Sequence, residues 1–569
     1  MSARRRTCGL ALVCTASALW AVITPFAYAQ QPGASVRRLR GIIEKSQSWS
    51  GRIMITDNLK ILGATVTVQP GCIIEFALAA PGTHPSLIVG SDDRDRGELR
   101  LLSTAERPIV FRTRPGTNAG RIIVYVRNRI VPEVAPTQPS TQPIEATSEP
   151  EKIDWHHVRF ENLGYPRVVG LRSRKHSRHE PCLTFKLIGR GQAVRLADCD
   201  FDHTTRLQID ADDAAKISVK ENHFVHPQER QALDISGWRI KNRPASTAIA
   251  ANHLAAGIVL NSLPAVVRDN VLIGLDAAIV LRGGSFPQCV VSGNYVHNTT
   301  KKDDGRYCLN CENSQARIEN NVFRGATTCV LTGSRHMSGN VFIGEANLAS
   351  PYVRKSRTHQ LVAALPAGSL FENNVLIGPA QAMLIPQPLQ APTGGVPTGA
   401  PTQIRNNVFD AFGKSGRAIH LNPVGRPAGK VAITNNLFLR TDCAIYDEDN
   451  TSTTVIYADH NAYAPPPRRK FDRVQIAGVE RGKPGWAAAD LQRDDIADLA
   501  LRKELPRRAA DLDFDEDLRS GRRTIAQVRR DFFSFYEPRS DSPLIHAGRK
   551  IKGTTTGHAS IGAVMGKAD

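Results

Sequence analysis

The sequence predicts an all-β solenoid, short strands wound into stacked coils, and three observations carry that prediction. A phrase of one Asn followed by mostly apolar residues returns at Asn222-His223-Phe224, Asn270-Val271-Leu272, Asn321-Val322-Phe323, Asn340-Val341-Phe342, Asn374-Val375-Leu376, Asn407-Val408-Phe409 and Asn436-Leu437-Phe438. Looser copies stand at Asn252, Asn294 and Asn461, and the spacing from Asn222 to Asn461 averages about 27 residues, a solenoid period. The flanking runs, such as Ala277-Ala278-Ile279-Val280-Leu281 and Thr328-Cys329-Val330-Leu331, are short and β-branched and suit strands better than helices. The opening stretches Ile53-Met54-Ile55 and Ala64 to Phe76 alternate apolar and polar residues and are broken by a Pro70-Gly71 turn.

Taken in order, the chain begins with Arg4-Arg5-Arg6, an apolar run from Leu10 to Phe26 and the small-residue site Ala27-Tyr28-Ala29, which read as a secretory signal over residues 1–29. The solenoid is expected over 30–465. Each repeat is one coil of three short strands, with Asn at a turn because it tolerates the left-handed backbone and its amide can bond the same amide one coil above and below. Residues near 131–150, rich in Pro, Thr, Ser and Glu, and near 386–402, rich in Pro, Gly and Thr, read as insertions, and insertions in solenoids map to the binding face. After Pro465 the repeat stops. Trp486 to Glu504 and Arg522 to Phe533 have helical spacing, with Ile525, Val528 and Phe532 on one face, so 466–569 is expected to be a cap covering the last coil's open edge.

The phrases Thr65 to Phe76 and Glu98 to Phe111 resemble the opening coils of right-handed parallel β-helix repeat proteins of the pectin-lyase-like superfamily, the exported bacterial type. The resemblance covers most of residues 50 to 465. It implies a right-handed parallel β-helix; for activity it implies little, because the superfamily includes lyases, hydrolases, adhesins and inert spikes. The closing phrase Ser542 to Gly548 with Ser560 to Ala563 is similar to the ending of many such proteins, which carry Asp where His546 and Ser560 stand, and it reads as a structural closure.

Charge bounds the partners. The net charge is +19, or +16 once Arg4, Arg5 and Arg6 are removed, so a protein working in the extracellular space, periplasm or cell envelope would meet polyanions. No nucleic-acid motif or aromatic-basic stripe is present and no later stretch has the length of a membrane span, which ranks an acidic polysaccharide first. A solvated surface accounts for the same charge. A monomer is expected. Cys182, Cys199, Cys289, Cys329 and Cys443 fit as small fillers inside the coil, and Cys308-Leu309-Asn310-Cys311 is a weak signal for either buried thiols or a local disulfide.

A uronate lyase needs a basic residue and a cation, Ca²⁺ or Arg, to neutralise the sugar carboxylate. Leu281-Arg282-Gly283-Gly284 resembles a strand end of alginate lyase and chondroitinase B relatives, which implies Arg282 as the acid or the carboxylate partner. About one coil later comes the charged run Lys301-Lys302-Asp303-Asp304-Gly305-Arg306. Arg282, Lys301, Asp303 and Arg306 are therefore the catalytic candidates, with Lys302, Asp304, Arg174 and Lys175 as substrate contacts; solvated turn residues are the competing reading. The pairs Asp212-Asp213 and Asp303-Asp304 offer two carboxylates for hydrolysis, although an Asp pair in a turn is commonly just a turn. Lys216 and Lys220 are only superficially similar to a lyase base motif. His176 with His179 and His223 with His226 form H-x-x-H pairs, but zinc needs a third and fourth ligand, so no metal residue is assigned and Ca²⁺ enters only as the cation of a lyase. The function expected is binding, with or without lyase cleavage, of an acidic polysaccharide; the alternative is a non-catalytic envelope or adhesion scaffold.

Overall fold

A computed structural model describes residues 35–77, 84–92, 95–114, 120–127, 129–130, 148–149, 152–166, 179–188, 191–212, 215–237, 246–283, 286, 288–300, 307–312, 315–325, 329–331, 334–345, 360–378, 382–386, 400–411, 417–421, 430–447, 455–472, 487–506, 513–549 and 561–562. The signal stretch 1–29 and most of the insertions near 131–150 and 386–402 lie outside the described residues.

The chain is a parallel β-helix. Each coil lays one strand on each of three faces, as in Lys216–Lys220, His223–Val225 and Gln231–Gly237, and each strand pairs in parallel with its counterpart one coil on: Ser246–Ala250, His253–Leu254 and Gly257–Asn261. The first face is a continuous twelve-stranded sheet from Lys152–His156 to Val455–Asp459, preceded by a three-stranded sheet of Gln47–Trp49, Ala64–Val68 and Gly97–Leu101. Strand alternation sends every second side chain inward, where in-register stacking lets like residues pack on like. On the first face Val219, Ile249, Val267, Val291, Ile318, Met337, Phe371, Ile404 and Ile433 form one buried column. On the second face Phe323 stacks on Phe342 at 5.6 Å and Phe409 on Phe438 at 5.1 Å, as the repeat predicts, but Leu376 sits between the two pairs. A further stack, Phe111, Phe160, Phe201 and Phe224, continues the column toward the N-terminus.

The asparagines form an unbroken buried ladder: Asn222, Asn252, Asn270, Asn294, Asn321, Asn340, Asn374, Asn407, Asn436 and Asn461. Each backbone N–H and each side-chain Nδ2 donates to the Oδ1 of the next rung; Asn270, for instance, reaches Asn294 Oδ1 at 3.1 and 2.9 Å. The other amide proton goes to a backbone carbonyl such as Ile249 O at 3.0 Å. A buried amide is stable only when its donors and acceptors are used, and here they are. The ladder ends on Asp490, whose Oδ1 accepts from Asn461 N at 2.8 Å. The expectation that the ladder Asn itself takes the left-handed conformation is corrected: the positive φ belongs to the residue before it, Glu221, Ala251, Asp269, Gly293, Asn320, Gly339, Asn373, Asn406, Asn435 or His460. The preceding residue makes the corner and the Asn ties it to the next coil.

The C-terminal region is the small helical and irregular segment expected, with two differences in detail. Residues 487–504 form a short strand, Leu491–Gln492, and a single 3₁₀ turn, Ala497–Leu499, rather than a helix. The strand adds to Ala462–Ala464 and so extends the second face. Helix α1 spans Asp515–Arg519 and helix α2 spans Ile525–Phe535, the latter opened by a Thr524–Gln527 capping box and burying Ile525, Val528 and Phe532 as expected. These helices lie along the side of the solenoid rather than over its end. Their apolar residues pack on Val271, Ile273, Val322, Val341, Ile343, Val375, Ile377, Val408 and Leu437, the outward side chains of the second face. The Asn phrase carries two successive apolar residues for this reason: Phe323 faces the core and Val322 faces the C-terminal segment.

A polar clasp fixes the contact. His297 Nδ1 lies 2.7 Å from Asp515 Oδ2 and its Nε2 3.3 Å from Glu345 Oε2, Tyr295 donates to Asp515 at 2.8 Å, and Arg324 bridges Glu345 and Asp513. Farther along, buried Asp410 is paired with Arg440 and accepts from Tyr536 at 2.9 Å. The closing phrase returns to the coil, with Leu544 and Ile561 buried and Arg549 N donating to Asn435 Oδ1 at 2.7 Å. Cys72, Cys182, Cys199, Cys289, Cys308, Cys311 and Cys443 are buried and form no disulfide, which answers the Cys308–Cys311 question in favour of buried thiols.

Candidate functional site

The third face carries the site. Its strands alternate core aliphatics with outward polar residues, so Leu233-Asp234-Ile235-Ser236 buries Leu233 and Ile235 and presents Asp234 and Ser236. In-register pairing repeats this on each coil and builds a polar track: Lys186 beside Asp210, Gln208 beside Asp234, Ser236 beside Asn261, and Asn261 beside Arg282. Asn261 Nδ2 donates to Asp234 Oδ1 at 3.2 Å and to Ser236 Oγ at 3.0 Å, and Gln208 donates to Asp210 at 2.9 Å. Two arginines flank the track. Arg206 pairs with Glu229 at 2.9 Å and lies 4.0 Å from Asp234, while Arg230 pairs with Asp276 at 3.4 Å.

Arg282 is exposed at the strand end and makes no hydrogen bond or ion pair through its side chain with the described residues. It borders an open depression of about 300 Å³ lined by Arg230, Asp276, Asn298, Tyr307 and Asn310. Among the described residues of the track, Asp234 is shifted from its ordinary range. Burial raises its pKa, and so does neighbouring Asp210, while Arg206, Ser236 and Arg282 pull it down, leaving it raised overall. A carboxyl so placed keeps its proton to a higher pH than a free Asp does.

Of the residues singled out by sequence, Arg282 is thus placed on the outer third face. Lys301, Lys302, Asp303, Asp304 and Arg306 lie outside the described residues, which stop at Thr300 and resume at Tyr307, and Arg174 and Lys175 lie outside them as well. Lys216 and Lys220 are on the first face, not on the track. Asp212 is described and Asp213 is not. His223 and His226 do not converge on each other: His223 meets His253, with ring centroids 5.3 Å apart, and His226 stacks on His203 at 4.6 Å. Sequence reasoning missed Arg206, Arg230, Asp234, Asn261 and Asp276. The signal for Asp234 was present, a single carboxylate between two core aliphatics, but its partners come from neighbouring coils and only register brings them together.

No helix among the described residues is long and apolar enough to cross a membrane. Comparison with protein-family models, with curated proteins and with solved structures yields no match.

Proposed function

We propose that this is an exported protein that binds an acidic polysaccharide along its third face, the partner class that its net positive charge ranks first. The observation that carries the reading is the exposed Arg282, without a side-chain partner among the described residues, beside an open depression on a track of in-register polar side chains. A uronate chain repeats its carboxylates at fixed intervals and a parallel β-helix repeats its strands at roughly 4.8 Å, so successive coils can offer a hydrogen-bonding group to each part of a sugar. Arg282 supplies the fixed cation for a carboxylate. Asp234, Asn261 and Ser236 supply hydrogen bonds to hydroxyls, and Tyr307 offers an apolar ring face at the rim.

Glu229 and Asp276 are already engaged by arginines, which favours binding over cleavage as the basic activity. If the face also cleaves, Arg282 neutralises the carboxylate and lyase products absorb in the ultraviolet. The test is a binding panel of alginate, pectate and a sulfated glycan at rising salt. Affinity for at least one should fall as salt rises, because attraction between exposed charges is screened, and Arg282→Ala should weaken it about tenfold. Binding that ignores salt and Arg282 removes this site, and no binding to any acidic glycan leaves the envelope-scaffold reading. Export is tested by sequencing the N-terminus of protein from the native host, expected at Gln30; an intact Met1 refutes it.

A further inference from the structure

The geometry points to a divalent transition-metal site on the second face, formed by Asp202, His203 and His226 and distinct from the polysaccharide track. Asp202 Oδ1 lies 2.7 Å from His203 Nδ1 and 3.0 Å from His226 Nδ1, and one ligand atom from each residue falls within 4.8 Å of the others. The convergence has a backbone origin. Consecutive strand residues point to opposite sides, yet Asp202 and His203 share a side because His203 leaves the strand with φ +50°. His226, the counterpart of His203 one coil on, takes the same turn with φ +46°, and the two rings stack. Two histidines in left-handed turns, where Gly or Asn would fit more easily, meet over one carboxylate oxygen.

Zinc bonds imidazole nitrogen and carboxylate oxygen at about 2.0–2.2 Å, so tetrahedral ligand atoms stand about 3.3 Å apart. The observed 2.7 and 3.0 Å must open by about 0.6 and 0.3 Å to reach that spacing, and the side chains are 44%, 51% and 69% exposed, which leaves them free to do so. Two histidines and one carboxylate leave a fourth position for water or an outside ligand. Glu161 lies beside Asp202 on the neighbouring coil, in the field of both Arg112 and Arg159, and Asp200 is paired with Arg159 at 3.3 Å, so the proposal stands on the geometry of the trio alone. Imidazole donors select zinc, copper or nickel over calcium or magnesium. The pairing also differs from the H-x-x-H spacing in sequence, since His226 takes its partner from the coil before it rather than from His223.

The test is a Zn²⁺ titration of EDTA-stripped full-length protein against a chromophoric chelator, repeated with Co²⁺ to read ligand-field absorption. Zn²⁺ should bind at micromolar concentration, and millimolar Ca²⁺ should not displace it. His203→Ala, His226→Ala and Asp202→Asn should each weaken one site at least tenfold, with unchanged circular dichroism, while His253→Ala should leave it intact. Wild-type binding no tighter than millimolar, or trio variants that bind as the wild type does, overturns the proposal.

Discussion

Asn373 and Asn374 are adjacent, identical in chemistry and opposite in role, which makes Asn374→Ala against Asn373→Gly a sharp perturbation. Asn374 Oδ1 accepts from Asn340 N and Nδ2, both at 3.0 Å, and its Nδ2 donates to Asn407 Oδ1 at 3.1 Å and Met337 O at 3.2 Å. Alanine removes four hydrogen bonds, each worth about 0.5–1.5 kcal/mol net, and strands a buried Asn340 N–H; the loss should be about 3–5 kcal/mol. Asn373 instead supplies the corner, with φ +53°. Glycine adopts that conformation freely, so Asn373→Gly should cost under about 1 kcal/mol. Urea unfolding followed by circular dichroism gives both numbers. Equal losses, or a larger loss at Asn373, would refute the division between a corner residue and a ladder residue.

Phe342→Ala opens a cavity between Phe323 and Phe371 and should cost about 3–5 kcal/mol in the same assay; under 1 kcal/mol would mean that the column is not packed. The clasp should be pH-dependent. Burial disfavours the His297 imidazolium, but hydrogen bonds to Asp515 and Glu345 outweigh it and hold the pKa above its usual value, while His297 and Arg324 hold Asp515 and Glu345 below theirs despite burial. The histidine contribution is complete below about pH 6.5 and lost as pH rises through its raised pKa; the carboxylate contributions are complete above about pH 4.5 and lost as pH falls. Protection of helix α2 from proteolysis should therefore peak between about pH 4.5 and 6.5, and a flat profile, or no loss of the peak in His297→Ala, would contradict the clasp. Burial pushes the thiols of Cys182, Cys199 and Cys308 up to about 12, so none of the three should react with a thiol reagent until the chain unfolds.

The coil was legible because its information is local. A recurring Asn, an apolar residue (often Phe) two residues on and β-branched runs between turns specify a strand-turn-strand unit whatever surrounds it. The doubled apolar residues after Asn270 were legible only as a pattern: nothing in the phrase says that Val271, Val322 and Val341 face outward or that a segment more than 150 residues later covers them. The polar His223 and the exposed Val225 mark coils that lie before that cover begins. Helix α2 was readable from its own amphipathic spacing. The run 487–504 has comparable spacing, yet its Leu491 serves the sheet edge and its Asp490 the ladder, tertiary demands that outweigh propensity. Arg282 was found through a strand-end phrase, whereas Asp234 and the Asp202 trio depend on side chains from neighbouring coils, whose register follows from turn lengths that vary too much along this chain to count.

The central functional claim is that the third face, and not simply the basic surface, holds the polysaccharide. The direct measurement is a titration of an acidic oligosaccharide against wild type, Arg282→Glu on the third face and Lys216→Glu on the first, at one low ionic strength. Both substitutions change the net charge equally. The account predicts that Arg282→Glu weakens binding at least tenfold while Lys216→Glu stays within about twofold; equal weakening by the two would show that binding follows total charge and would contradict the site.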